Sequence, residues 1–284
     1  MTYTNPRLRR VEMKFMLDAD LSEQVREWAI DRLGVDENCA ADGSNSYDIQ
    51  SLYLDTPDHD LYHRTGVIGK AKHRVRRYGS DEMLVLETKR KKNMVVRKNR
   101  TAVFESDFAS GVLNLSRQSG GGVAESNETS GETDEPWCGD WFLKRIAERR
   151  LFPATQIAYR RFARTSTVNG ENLRLTIDSK MVARSPRGWS VAMPGDVRRA
   201  DTCSGFRSLG EFEILELKFE NQMPHLFKEL LRSFPIPGTR FSKFRTAMQH
   251  QLTRTDRAHP VVARPAIPVA AFHRTHATEQ MSNA

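Results

Sequence analysis

Arginine, lysine and glutamate recur at every second position in several short segments of this chain. Arg10, Glu12 and Lys14 open the series, followed by Lys72, Arg74 and Arg76, by Glu87 and Lys89, and by Lys98 and Arg100. Arg174, Thr176 and Asp178 come next, and Glu216 with Lys218 closes it. Side chains two residues apart on a strand share a face. The planar fork of arginine matches two oxygens of a phosphate, and lysine adds a compact point charge. Glu12 and Glu216 each stand two residues before a lysine, on different segments. Carboxylate oxygens suit a hard divalent ion that bridges phosphates, with the lysines balancing the remaining charge. Such a set could hold a polyanion and its metal ion. Alternation alone also describes any sheet with one wet face. The recurrence of arginine at Arg74, Arg161 and Arg174 is what points beyond that.

The elements that must position these residues are mostly strands. Tyr47 to Leu54 reads as a strand ended by Asp55-Thr56-Pro57-Asp58, and Lys72 to Tyr78 with Met83 to Lys91 reads as a hairpin through Gly79-Ser80-Asp81. Lys98 to Phe104, Thr155 to Arg164, Asn172 to Ala183 and Gly210 to Phe219 complete the set. A helix is expected over Leu21 to Leu33, with Asp20 as N-cap, Glu23 as its capping-box partner and Gly34 closing it. Further helices are expected over Trp141 to Arg150, from Pro224 at N1 to Phe234, and from Lys243 to Leu252. The start of that last helix, Ser242-Lys243, offers free N–H groups, a dipole and an ammonium to an anion. The count predicts an α+β fold, an antiparallel barrel of about eight strands with flanking helices. If the charged faces turn inward, the bore is basic.

Of the 284 residues, 38% are hydrophobic and 28% charged, with a formal net charge of +8. The stretch 106–136 runs against that sign, with Asp107, Glu125, Glu128, Glu132, Asp134 and Glu135 facing Arg117 alone. It is Ser- and Gly-rich and reads as a flexible acidic insertion within a domain spanning 1–253. The tail, 254–284, has no period and reads as disordered. The basic remainder implies an anionic partner. The cysteines Cys39, Cys138 and Cys203 are widely spaced, and the eight histidines show no metal spacing and read as surface residues. No phosphate-binding glycine loop and no apolar h-region stand out, and no run approaches the roughly 18 apolar residues of a membrane span. A cytoplasmic protein is expected, with a membrane partner still open.

In combination the segments resemble the VTC domain, the polyphosphate-polymerase branch of the triphosphate tunnel metalloenzymes. The resemblance runs from about Arg10 to Gln249. It is carried by Arg10-Val-Glu12-Met-Lys14, Ser51-Leu-Tyr53-Leu-Asp55, Arg74-Val-Arg76-Arg-Tyr78, Glu87-Thr-Lys89, Lys98-Asn-Arg100, Tyr159-Arg-Arg161, Arg174-Leu-Thr176-Ile-Asp178, Glu216-Leu-Lys218 and Ser242-Lys243-Phe244. The resemblance implies a tunnel of about eight strands holding a nucleoside triphosphate, ATP, and a growing polyphosphate. It casts Arg74, Arg76, Lys89, Arg161, Arg174 and Lys243 as catalytic phosphate binders, with Lys14, Lys98 and Lys218 as further binders. Glu216, with Glu12, would hold Mn²⁺ or Mg²⁺. Arg10 stands where hydrolase and cyclase relatives carry a first glutamate, which favours the polymerase branch. Arg77 stands where the family usually places an aromatic, a change expected to alter the tunnel wall or nucleotide contact. The implied activity is transfer of the ATP γ-phosphate to polyphosphate. A metal-dependent tri- or polyphosphatase on the same tunnel and a non-catalytic polyphosphate-binding module stay open as alternatives. Nucleic acid is not the expected partner.

Overall fold

Alternation of this length, with β-branched and aromatic residues on one side, builds strands that need cover on that side only. The computed structural model describes residues 10–39, 43–66, 71–92, 95–119, 136–168, 170–198 and 204–255. Its elements in chain order are β1 (Arg10–Leu17), α1 (Ala19–Arg32), β2 (Gly34–Val35), β3 (Ser46–Asp55), α2 (Asp60–His63), β4 (Ala71–Tyr78), β5 (Met83–Lys92) and β6 (Val95–Phe104). There follow α3 (Glu105–Ser119), α4 (Asp140–Arg149), β7 (Phe152–Val168), β8 (Glu171–Arg184), α5 (Pro194–Arg198), β9 (Arg207–Ser208), β10 (Glu213–Glu220), α6 (His225–Ser233) and α7 (Lys243–Thr255). The strands form one antiparallel sheet in the order β1-β10-β8-β7-β3-β4-β5-β6, with β2 added on β7 and β9 on β8. This is the expected α+β, barrel-like architecture.

Among the described residues the sheet is curled without closing by hydrogen bonds: β1 and β6 end its ladder and do not pair with each other. Across that seam Lys89 on β5 reaches Glu12 on β1 at 3.2 Å. The convex face is apolar and helix-covered. Val25, Trp28 and Ala29 of α1, with Phe227 and Leu230 of α6, pack on Phe15, Leu175, Leu215 and Leu217. Phe108 and Val112 of α3, with Phe142 and Ile146 of α4, pack on Leu52, Val75, Leu84 and Leu86. Side chains of the other parity line the concave face, which is therefore left to the charges.

Local chemistry explains most boundaries and corrects several expectations. The cap of α1 is Asp18, whose carboxylate accepts from the Leu21 N–H at 2.8 Å, two residues before the expected Asp20. Gly34 is no left-handed cap; it begins β2 and pairs with Thr165. Pro224 is the N-cap of α6 and not its first residue. β3 ends because Asp55 turns its carboxylate onto the N–H groups of Thr56, Leu61 and Tyr62, folding the chain into α2. Within the stretch read as a flexible insertion, 106–119 belongs to α3 and is helical, and Phe108 and Val112 anchor it in the core. The rest of that stretch, 120–135, lies outside the described residues, as do Cys203 and the tail from 256 onward. His73 is not a surface residue. It is buried on the convex face beside Thr88 Oγ1, at 3.0 Å, and burial together with Arg145 and Arg149 lowers its pKa to about 4.

Candidate functional site

The ladder register converts sequence alternation into rows of charge across the concave face. Glu216 lies between Lys14 and Thr176, Lys218 lies between Glu12 and Arg174, and Asp178 lies opposite Arg161. Arg74 lies between Tyr53 and Glu87, and Glu87 opposite Arg100. Three carboxylates then gather the cations into clusters.

Glu87 is 2% exposed and holds the first cluster. Arg74 Nε and Nη2 both stand 2.6 Å from its Oε2, Arg76 Nη1 is at 3.8 Å, Lys98 Nζ is 3.2 Å from Oε1, and Arg100 Nε is at 3.7 Å. Burial pushes this carboxyl up, but Arg74, Arg76 and Lys98 outweigh it and hold Glu87 far below its ordinary range. Hydroxyls fix the arginines from behind. Arg74 Nη1 donates to Tyr53 at 3.1 Å, and Arg76 donates to Ser51 at 3.2 Å, Tyr78 at 3.3 Å and Tyr159 at 3.5 Å.

Asp178, fully buried, holds the second cluster. Arg161 grips it with two parallel bonds, Nε to Oδ1 at 2.6 Å and Nη2 to Oδ2 at 2.8 Å. Lys243, first residue of α7, reaches Oδ2 at 2.5 Å and lies 4.7 Å above the Tyr159 ring. Burial opposes ionisation here too, and Arg161 with Lys243 overcomes it, keeping Asp178 well below the usual carboxylate range. Beside α7, Lys72 donates to Ser242 at 3.1 Å.

The third cluster contains the metal candidates. Lys14 lies 3.3 Å from Glu12 and 3.6 Å from Glu216, so both carboxylates converge on one ammonium. Lys218 pairs with the other oxygen of Glu216. Burial pushes Glu216 up, yet Lys218, Lys14 and Arg161 bring it down to about 2. Burial and Glu216 likewise raise Glu12, and Lys14, Lys89 and Lys218 return it below its ordinary value. Among the described residues no group of three His, Cys, Asp or Glu side chains converges as a protein-only metal cage. Two ionised carboxylates are nonetheless a hard oxygen set, which fits Mg²⁺ or Mn²⁺ held partly by substrate phosphates.

Arg174 stands apart, gripped by Asp36 at 2.7 Å and donating to Tyr47 at 3.0 Å. Asp36 is buried in the loop after β2, where it also accepts from the backbone and side chain of Asn38.

All eleven residues singled out in the sequence therefore share the concave face: Glu12, Lys14, Arg74, Arg76, Lys89, Lys98, Arg161, Arg174, Glu216, Lys218 and Lys243. The clusters also contain residues given no role beforehand. Glu87, Asp178 and Lys72 belong to the same alternating segments, so parity was the signal that could have found them. Asp36 comes from a loop, and nothing in its neighbourhood signals the ion pair. Arg77 is corrected: it faces away from the bore, 1% exposed, with its guanidinium 2.6 Å from Glu105 at the start of α3. It alters no bore wall.

No curated protein matches this chain. Among solved structures, a candidate adenylate cyclase from Bacillus halodurans aligns at a TM-score of 0.42 with 12% identity, covering 82% of this chain and 95% of its own. A candidate adenylyl cyclase from Hippeastrum, described as having a dominant triphosphatase activity, aligns at 0.42 with 15% identity, covering 85% and 96%. A candidate adenylate cyclase from Vibrio parahaemolyticus aligns at 0.36 with 9% identity, covering 84% and 96%. Residues 9–251 match the VTC domain, with the charged segments, both apolar covers and α7 as far as residue 251 inside the match. This chain belongs to the VTC domain family.

Proposed function

We propose that the chain is a metal-dependent polyphosphate polymerase that transfers the γ-phosphoryl group of ATP to a polyphosphate end inside the basic bore. The observation that carries this reading is the cation set around Glu87 and Asp178. Arg74, Arg76, Lys98, Arg161 and Lys243 are held in place by buried carboxylates and tyrosine hydroxyls on the face opposite α1, α3, α4 and α6, which α7 reaches through Lys243 and Phe244. Positions fixed before binding cost little reorganisation when charge develops on phosphate oxygens.

In the proposed step, a terminal oxygen of the polyphosphate attacks the γ-phosphorus in line, and the bond from that phosphorus to the β-bridging oxygen breaks. ADP leaves, and the chain is one phosphate longer. The attacking oxygen is already ionised, so no side chain need remove a proton. Arg74 and Arg76 bind equatorial oxygens of the transferring group, where charge concentrates in a loose transition state. Arg161 and Lys243 bind phosphates on the opposite wall. Glu216 and Glu12 would hold a divalent ion, which would supply charge neutralisation to the phosphates. Lys14 and Lys218, beside those carboxylates, add cations for phosphate oxygens.

The test is ³¹P NMR of the protein with ATP, Mn²⁺ and a pyrophosphate primer. A growing mid-chain polyphosphate signal with ADP is expected. Arg74→Ala and Glu216→Gln should each lower the rate by about 10²-fold or more, the scale of losing one preorganised charge contact. Orthophosphate as the sole product would make this a tunnel phosphatase, and intact ATP across metals would leave a binding module.

A further inference from the structure

The bore leaves one concentration of charge unexplained. Between Glu87 and Glu105 the sequence has seven lysines and arginines and no acid. The β5–β6 hairpin sets Lys89 opposite Lys98 and Arg90 opposite Arg97. β4 adds Lys72 opposite Lys89, so three lysines form one row across three strands. Like charges directly opposite one another destabilise an antiparallel pair. The bore-facing row is partly compensated, because Lys72, Lys89 and Lys98 meet Ser242, Glu12 and Glu87. Arg90 and Arg97 are not: they lie on the other face, both are exposed, and among the described residues neither forms an ion pair.

Their place in the sheet matters as much as their charge. β4 begins at Ala71, opposite Arg90. From there the hairpin runs on past β4, with Lys91 paired to Val96 and Lys92 to Val95. Among the described residues β6 has no further neighbour in the ladder and β4 pairs with β5 no further than Arg90, so the described hairpin beyond that point is a two-stranded ribbon at the rim of the bore. Arg90 and Arg97, level with Ala71, stand where the three-stranded wall gives way to this ribbon, and they directly follow and precede the bore-facing Lys89 and Lys98 along their strands. Arg90 lies three residues along β5 from Glu87, roughly 10 Å.

We propose that Arg90 and Arg97 form a second anion-binding surface, a track that continues the bore onto its rim and takes the part of a linear polyphosphate chain outside the tunnel. The inference rests on the tunnel reading and extends it from the reacting phosphates to the length of the product. A triphosphate seated between Arg74 and Arg161 has no phosphate left for the rim. A long chain occupies both places, and the second contact is intramolecular once the first is made.

The experiment compares the wild-type chain, an Arg90→Gln/Arg97→Gln double variant and Arg74→Ala. Each is titrated calorimetrically with tripolyphosphate, long-chain polyphosphate and a single-stranded oligonucleotide over a salt series. Both substituted arginines are exposed and repel each other across the pair, so the double variant should keep the wild-type thermal midpoint or exceed it. Its tripolyphosphate affinity should be unchanged, while its long-chain affinity falls about five- to tenfold, as for two exposed charge contacts. The slope of log K against log salt for the long chain should become shallower by about 1.4, the release expected from two contacts to a single strand. Unchanged long-chain affinity, or an equal loss for both phosphate probes, overturns the track. A loss confined to the oligonucleotide overturns it in favour of a nucleic-acid surface. If tripolyphosphate binding survives Arg74→Ala, the tunnel reading falls and takes the track with it. If Arg74→Ala loses tripolyphosphate while the double variant binds long chains normally, only the track falls.

Discussion

Tyr53 shows how strongly the bore acts on a single residue. Its ring packs 5.4 Å from Phe244, and its hydroxyl accepts from Arg74. Burial pushes the phenol up, but Arg74, Arg76 and Lys72 outweigh burial and pull its pKa from 10 down to about 7. A depressed folded value means that the fold favours the phenolate. Its stabilisation is full above 10 and lost as pH falls through about 7. On the proposed reading of Arg74 as a phosphate binder, the phenolate would compete with phosphate for it on the alkaline side. Phenolate absorbance should therefore show a step centred at about 7 that Tyr53→Phe removes. Tripolyphosphate affinity should decline above that pH in the wild type and less steeply in Tyr53→Phe. A spectrum with every tyrosine titrating at its ordinary value would contradict this account of the bore.

At the scale of an element, β4 serves two environments through parity alone. Arg74 and Arg76 point into the bore, while Val75 and Arg77 point under α3 and α4. Arg77 ties the hairpin to α3 through Glu105, and its Nη1 donates to the Asp81 carbonyl at 2.5 Å. Replacing a buried ion pair by an apolar side chain of similar volume is often neutral, whereas truncating one partner is costly. Arg77→Met should therefore retain wild-type tripolyphosphate binding and near-wild-type stability. Arg77→Ala should lose about 3 kcal/mol in denaturant unfolding, from cavity and broken pair together. A loss of phosphate binding in Arg77→Met with the fold intact would put this residue back in the bore.

For the whole molecule, the sheet is an inverted sandwich. Its apolar face is outside under helices, and its charged face is inside. Carboxylates, three of them buried, keep that arrangement from repelling itself. Glu87, Asp178, Glu216 and Glu12 all titrate below their ordinary values of 4.5 or 3.8, each against a burial effect that neighbouring cations overcome. Depressed folded values give stabilisation that is full above the unfolded values and lost as pH falls through the folded ones. The thermal midpoint should hold down to about pH 5 and fall steeply below about pH 4. Tripolyphosphate should restore part of it by taking over the orphaned cations. A midpoint flat through that acid range would show that the carboxylates do not hold the cations together.

What the sequence determined by itself is local. Period-two alternation defined the strands and the face each charge takes, because side-chain direction is set by backbone geometry within two residues. It could therefore assign Arg74, Arg161 and Glu216 to one face, and the family match rests on the same segments. Helix ends were less legible: Asp18 and Asp20 are both competent caps, and packing of Val25 and Trp28 chose the register of α1. The tertiary structure alone decided which carboxylate meets which cation. Glu87 and Asp178 became counter-ions because strand register set Arg74, Lys98 and Arg161 beside them, while α7 brought Lys243 from 65 residues away. Asp36 reached Arg174 from a loop with no periodicity to read. The seam between β1 and β6, crossed by Lys89 and Glu12, depends on the accumulated curl of eight strands, which no local pattern contains.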